Sequence, residues 1–255
     1  MPYQRGRPLL DTSLPFRLAA AMTFYALWPA AQLVNLLMFR TAYKNTWKLR
    51  GIPRAILVSN HTTFLDPVKV SGAMLPRRTW QTLLEATVTA PFLGTLTRLL
   101  GGLPLPPGKR GLDRVLASAE QAFRYRRFIH FYPEGECYLY NQNIREFKSG
   151  AFYIAAELDI PVIPLVTVFS EGAFPPFSPW GRTLPRETMV VMDPVYPSGY
   201  IRRDEKGLLS MDSVREFARA VRDLMQKEID ARGGSSAFYR GRMERMKGIN
   251  DTSPR

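Results

Sequence analysis

The stretch VSNHTTFLDPV (58–68) sets a histidine and an aspartate five positions apart, directly behind a short apolar run, in a chain with only two histidines. Residues i and i+5 lie about 140° apart around a helix, so His61 and Asp66 cannot share one face of a straight helix. If a helix begins near Thr62 or Thr63, both acceptable caps, His61 sits in the preceding turn and its ring can fold back on Asp66. One imidazole nitrogen would then donate to the carboxylate, and the other would accept a proton from an incoming hydroxyl. A plainer reading competes: an Asn-His turn at a strand end, with Asp66 an early-turn carboxylate favoured by the helix dipole. The spacing alone leaves both open.

The elements that must position the pair follow from periodicity. AILVS (55–59) and FIHFY (128–132) are apolar runs of strand length, each ending in turn-like residues. PVIPLVTVF (161–169), TMVVM (188–192) and, more weakly, TWQTLLE (79–85) extend the set. Pro164 inside the third predicts an edge or irregular strand. Helical spacing marks 111–127, 148–158 and 213–231, the last capped by Asp212 or Ser213 and ended by Gly233. Alternating strands and helices predict an α/β domain, a central, mostly parallel sheet flanked by helices, over residues 51–231. GAFPPFSPWGRTLP (172–185) reads as a loop, and 232–255 as a basic polar tail that frays or is disordered.

Residues 1–50 differ. Leu18 to Phe39 is 22 residues without a charge, about 33 Å as a straight helix. Pro29 interrupts it, while Gln32 and Asn35 make its second half more polar. The segment is expected to be helical and membrane-associated, as two helices dipping into one leaflet, as a span, or else as a buried soluble helix. A cleaved signal peptide fits less well, since no small-residue site follows. Seven basic residues against Asp11 alone flank it and suit anionic lipid. Across all 255 residues the net charge is +13 and 45% of residues are hydrophobic, so a packed core and anionic partners are expected. No zinc-finger spacing, RNP-type aromatic block or recognition-helix signature accompanies the charge, so nucleic acid is not expected as a partner. The single cysteine, Cys137, excludes an internal disulfide framework and a thiolate metal cage and reads as a small apolar filler.

Further blocks stand in order beyond NHx₄D. Pro91, Gly94 and Gly101 or Gly102 form P-x-x-G-x₆₋₇-G; Pro133, Glu134 and Gly135 follow the 128–132 strand; then come Phe147, Lys148, Gly150 and Ala151, and Pro161 to Pro164. In order and spacing over residues 52–168 the chain resembles the membrane-associated glycerolipid acyltransferases, typified by the 1-acylglycerol-3-phosphate acyltransferases (PlsC-type). The resemblance implies acyl transfer from a thioester, acyl-CoA or acyl carrier protein, to a lysolipid hydroxyl in phospholipid biosynthesis. It implies the glycerol-phosphate acyltransferase type of fold and a location on the cytoplasmic face of the inner or cell membrane. His61 would be the general base and Asp66 its orienting partner. Asn60, Glu134, Gly135, Glu136, Lys148, Arg110 and Arg145 would serve substrate binding. No metal and no cofactor beyond the thioester co-substrate is implied.

The chain departs from the family where an acceptor phosphate would be held. Glu136 and Cys137 stand where the third block usually has Thr and then Arg. Pro107 replaces the arginine that closes the second block, and no Lys or Arg lies between Arg78 and Arg98. Either Lys109, Arg110, Arg145 or Lys148 supplies the missing charge, or the acceptor is another lysophospholipid or an amino-acid-containing lysolipid. A catalytically silent membrane-binding protein is a further alternative, against which His61, Asp66, Glu134 and Gly135 all stand intact.

Overall fold

The computed structural model describes residues 3–4, 6–171 and 184–244. The loop expected at 172–185 falls almost wholly outside them, as do the end of the basic tail and the side chain of Lys109. The strands are β1 (Ala42–Lys44), β2 (Ala55–Ser59), β3 (Trp80–Leu84), β4 (Gly102–Leu105), β5 (Phe128–Phe131), β6 (Val162–Ser170) and β7 (Arg186–Val191). The helices are α1 (Leu14–Phe39), α2 (Asp66–Met74), α3 (Glu85–Thr89), α4 (Leu93–Leu99), α5 (Gly108–Phe123), α6 (Gly150–Glu157) and α7 (Met211–Ala231).

One seven-stranded sheet runs β1-β7-β6-β2-β5-β3-β4. The five strands from β6 to β4 are parallel; β7 is antiparallel to β6, and β1 pairs parallel with β7. β2 is buried at every position because both faces of the sheet are covered. Ile56 and Val58 pack into a core with Val115, Phe152 and Phe217 from α5, α6 and α7. Ala55 and Leu57 face the other way, towards Val70 and Met74 of α2. The mostly parallel α/β sheet expected from the apolar runs is thus the observed fold.

Several expectations change. β6 lies between β7 and β2, so Pro164 is in a central strand, not at an edge. It is tolerated because the register slips there by one residue, from Leu165↔Val191 to the isolated Val162↔Val195 bridge. Met192 N–H donates to Pro164 O (2.9 Å), and the extra residue leaves no ladder bond that needs a proline N–H. The last helix is capped by Ser210, whose hydroxyl accepts from Ser213 N–H, not by Asp212 or Ser213. β1 and β4 are three and four residues long, too short to show periodicity. The described part of the tail folds back over residues 137–140: Leu139 N–H donates to Gly241 O and Met243 N–H to Cys137 O, both 2.9 Å.

The N-terminal segment is one 26-residue helix, not a pair, although Pro29 lies inside it. Packing holds it on both sides of that proline. Before it, Phe24 is buried and Tyr25 OH donates to Pro76 O (2.9 Å); after it, Gln32 Nε2 donates to Val68 O (3.0 Å) and Gln32 Oε1 accepts from Tyr43 OH (2.7 Å). The helix is inverted relative to a soluble amphipathic one: Gln32 and Asn35 turn towards the protein, while Met22, Leu33, Leu36 and Leu37 stand exposed.

Candidate active site

β2 and β5 are parallel neighbours, so the loops leaving their carboxyl ends emerge side by side. The first carries Asn60-His61-Thr62-Thr63, and the second carries Tyr132-Pro133-Glu134-Gly135. The helix after β2 begins at Asp66, not at Thr62 or Thr63. Asp66 takes those threonines as donors and so occupies the position of a cap acceptor for the loop before it. His61 Nδ1 lies 2.9 Å from Asp66 Oδ2, the geometry the spacing left open.

Asp66 is saturated. Oδ2 also accepts from the backbone N–H groups of Thr62 and Thr63, while Oδ1 accepts from both threonine hydroxyls and from Lys69 Nζ (3.1 Å). Burial alone would raise its pKa, but the ammonium of Lys69 and the bond from His61 hold the carboxyl well below the usual range. Lys69 is wholly buried and reaches on to Glu187 Oε1 of β7 (2.7 Å). Burial would lower Lys69, yet the two carboxylates raise it; burial pushes Glu187 up, and the Lys69 ammonium pulls it back towards the ionised form.

His61 is held on its other sides as well. Tyr132 stacks on its ring, with centroids 4.0 Å apart. Its carbonyl accepts from Tyr138 N–H (2.9 Å) and its own N–H donates to Glu134 Oε1 (3.0 Å). The second oxygen of Glu134 accepts from Arg145 N–H (3.1 Å), so this carboxylate ties the two loops together. Burial lifts Glu134 to about 6, with those two N–H groups pulling back. The His61 side chain is 20% exposed against 1% for Asp66, and with Nδ1 engaged the accessible nitrogen is Nε2.

The other expected residues divide. Asn60 is buried and both ends of its amide are used by Thr167, donating to its carbonyl (3.0 Å) and accepting from its N–H (2.8 Å). It clamps the loop to β6 with one bond from each end of its amide. Glu134 likewise binds backbone and not an open pocket. Gly135 turns with φ +73°, a conformation that suits glycine, and Lys148 lies across it, within 2.5 Å of where a Cβ would stand. Glu136 is half-buried beside it. Arg145 is exposed, its guanidinium over the Tyr138 ring (4.9 Å) and bonded to Tyr239 OH (3.3 Å). Arg110 is exposed in the first turn of α5, and among the described residues no contact joins it to these loops. A cleft of about 360 Å³ adjoins Lys148, between residues 146–149 and α7, lined also by Arg215, Arg219 and Arg222. Among the described residues no group of three His, Cys, Asp or Glu side chains is placed to hold a metal ion.

Sequence reasoning missed Tyr132, Lys69 and Glu187 and mistook the threonines for caps. Lys69 stands three residues after Asp66, one helical turn away, a spacing that pairs opposite charges. Glu187 lies 118 positions further on, and nothing local marks it.

This geometry sits within a chain that matches known proteins along most of its length. It is 28% identical over 188 residues to the 1-acyl-sn-glycerol-3-phosphate acyltransferase of Saccharomyces cerevisiae, covering 72% of this chain and 58% of the relative, less than two thirds of the yeast protein's length. It is 28% identical over 182 residues to the enzyme of that name from Haemophilus influenzae, covering 71% and 70%. The crystal structure of the 1-acyl-sn-glycerophosphate acyltransferase PlsC from Thermotoga maritima superposes with a TM-score of 0.61 at 16% identity, covering 91% of this chain and 87% of that one, a likeness of fold. The family model described as Acyltransferase matches residues 40–168, which include both site loops, and the chain belongs to that family.

Proposed function

We propose that the protein is a membrane-associated O-acyltransferase that moves a fatty acyl group from an acyl thioester to the hydroxyl of a lysolipid, with 1-acylglycerol-3-phosphate as acceptor and phosphatidate as product. The observation that carries the reading is the His61–Asp66 contact of 2.9 Å, with the rest of Asp66 saturated by other donors. Asp66 holds the tautomer with the proton on Nδ1, which leaves the Nε2 lone pair for the acceptor hydroxyl. As the hydroxyl oxygen attacks the thioester carbonyl, Nε2 takes its proton, and the imidazolium is stabilised by Asp66. The tetrahedral intermediate then collapses, the C–S bond breaks, and the imidazolium returns the proton to the leaving thiolate. No acyl-enzyme is required. Burial pushes the Cys137 thiol far above its usual value, which suits a packing role and not a nucleophile.

Lys148 and Arg145 supply cations beside the loops, and the basic cleft next to Lys148 suits phosphate on either substrate. The open apolar face of α1 supports seating in the membrane interface, where lysolipid acceptors reside. The test is an acyl-transfer assay of the purified protein in detergent micelles, with lysophosphatidic acid and a panel of other lysolipids, each offered with acyl-CoA and acyl carrier protein donors. Phosphatidate formation is expected; a folded protein that transfers to none of them refutes the reading.

A further inference from the structure

We propose that Lys69 and Glu187 are positioning residues for the His61–Asp66 pair, Lys69 by fixing the Asp66 carboxylate and Glu187 by fixing Lys69. The role, though not the geometry, rests on the reaction proposed above. Lys69 is among the largest side chains buried completely among the described residues, and Glu187 is equally buried. An ammonium has three protons to donate, and this one has three oxygens around it: Thr63 Oγ1 at 2.7 Å, Glu187 Oε1 at 2.7 Å and Asp66 Oδ1 at 3.1 Å. No spare donor remains, so the ammonium has a single orientation. Thr63 donates its own hydroxyl to Asp66 Oδ1 (2.7 Å), which leaves its lone pair for Lys69. Oδ1 is thereby pinned by a cation, and Oδ2 is left to face His61.

The chain of contacts leads away from the site. Glu187 Oε2 accepts from Thr41 Oγ1 (3.2 Å), just past the end of α1, and the Lys69 ammonium lies over the ring of Phe39, the last residue of α1, at 5.0 Å. A buried ion pair is weak evidence for stability, because apolar residues of similar volume often serve as well. A pair whose cation bonds the partner of the candidate base has a use that apolar residues cannot supply.

The experiment follows the His61 ring by NMR in the full-length protein in micelles, alongside turnover of lysophosphatidic acid and acyl-CoA. The chain has only two histidines, so the signal is separable. Lys69→Met removes a positive charge near the ring and is expected to raise the His61 titration midpoint; Glu187→Gln removes a negative one and is expected to lower it, each by about one pH unit. The other ionisable groups facing His61, namely Asp66, Tyr132, Glu134 and His130, are unchanged in both variants. Turnover is expected to fall about ten- to a hundredfold in kcat with little change in KM, as misplacement of a catalytic group does. The double variant Lys69→Met/Glu187→Met leaves Asp66 as the one carboxylate of the cluster, still bonded by His61, Thr62 and Thr63, where Lys69→Met alone leaves two. It is expected to fold even where Lys69→Met does not, and to keep the kcat loss. A folded double variant with wild-type kcat overturns the proposal, as does an unmoved midpoint in the isosteric Glu187→Gln. The titration needs no substrate. A wild-type protein that transfers no acyl group therefore refutes the function above and leaves this result readable.

Discussion

Tyr132 lies face to face with His61, with ring planes 20° from parallel. Together with the Asp66 bond, this fixes both the plane and the rotation of the imidazole. The phenol itself contributes little, because its hydroxyl is buried without a hydrogen-bond partner among the described residues. Burial and the Asp66 charge also hold it well above the usual phenol range, so it is neutral. Tyr132→Phe keeps the stack and removes an unpaired polar group. It is expected to retain activity and gain about 1 kcal/mol of stability. Tyr132→Leu loses the stack and should lower kcat about tenfold. Thermal melts and initial rates of the two variants check this, and a large loss of activity in Tyr132→Phe would give the hydroxyl a role that the stack does not explain.

Removing the base itself is more severe. His61→Ala deletes a partly exposed loop side chain, so folding is expected to survive while turnover falls about 10²- to 10⁴-fold. Asp66→Asn should cost a comparable factor, by releasing the tautomer and by presenting an amide N–H₂ among donors that all need an acceptor. Rates and melting curves for both variants test this. A folded His61→Ala protein with near-normal turnover is incompatible with the mechanism.

The site was legible where the chain is local. His61 and Asp66 meet within one loop and one helical turn, and the apolar run before them is the strand that aims them. The parallel sheet was legible because β2, β5 and β6 are buried on both faces and so read as continuous apolar runs. What was not legible depends on sheet order. Glu187 reaches Lys69 only because β7 sits two strands from β2. The clamp from Asn60 to Thr167 was hidden because its partner lies 107 residues away on a strand that sequence cannot place beside it. Pro164 marked an irregular strand, as the register slip shows, but only the sheet order reveals that the strand is central and not at an edge.

His130 gives the fold a pH dependence of its own. Burial, joined by the nearby His61, holds its folded pKa down to about 3 against an ordinary value of 6.5. Between those values the unfolded chain binds a proton that the folded chain does not, so stability contributed above about pH 6.5 is lost as pH falls, by about 1.4 kcal/mol per unit. Glu134, raised to about 6, and Glu187, also raised by burial, act in the opposite sense over part of this range. The comparison of wild type with His130→Gln isolates the histidine. The variant is expected to gain on wild type steadily from pH 6.5 downward, read as the difference in Tm, and parallel curves would show that His130 takes up its proton in the folded state.

In the proposed function, membrane attachment rests on the outward face of α1. Deleting residues 1–40 would also strip Tyr3, Leu9, Leu10 and Phe39 from the core, so substitutions on the open face are the cleaner test. Leu33→Glu/Leu37→Glu should release the protein from anionic vesicles in a sedimentation assay without unfolding it. High salt alone should not release wild type, since apolar burial is insensitive to screening. Quantitative release by salt would reduce the attachment to the basic flanks.

In the proposed reaction the acceptor headgroup comes near Glu136. This carboxylate stands, half-buried, in the turn after Glu134. Lysophosphatidic acid brings a phosphomonoester with between one and two negative charges near neutral pH. At about 4 Å and an effective dielectric near 20, two unit charges repel by about 4 kcal/mol. Lys148 across Gly135, and Arg145 over Tyr138, are the cations placed to offset that repulsion. Glu136→Thr removes the carboxylate and leaves both cations. It is expected to raise kcat/KM for lysophosphatidic acid about tenfold or more relative to an amine-bearing lysolipid such as lysophosphatidylethanolamine, whose ammonium could pair with Glu136 in the wild type. The assay compares the two acceptors with one acyl-CoA donor in wild type, Glu136→Thr and Lys148→Ala. If wild type already prefers lysophosphatidic acid, and Lys148→Ala but not Glu136→Thr changes that preference, the phosphate is held by Lys148 and Glu136 faces away from it. If wild type prefers the amine-bearing lipid and Glu136→Thr reverses the order, Glu136 is the residue that selects the headgroup.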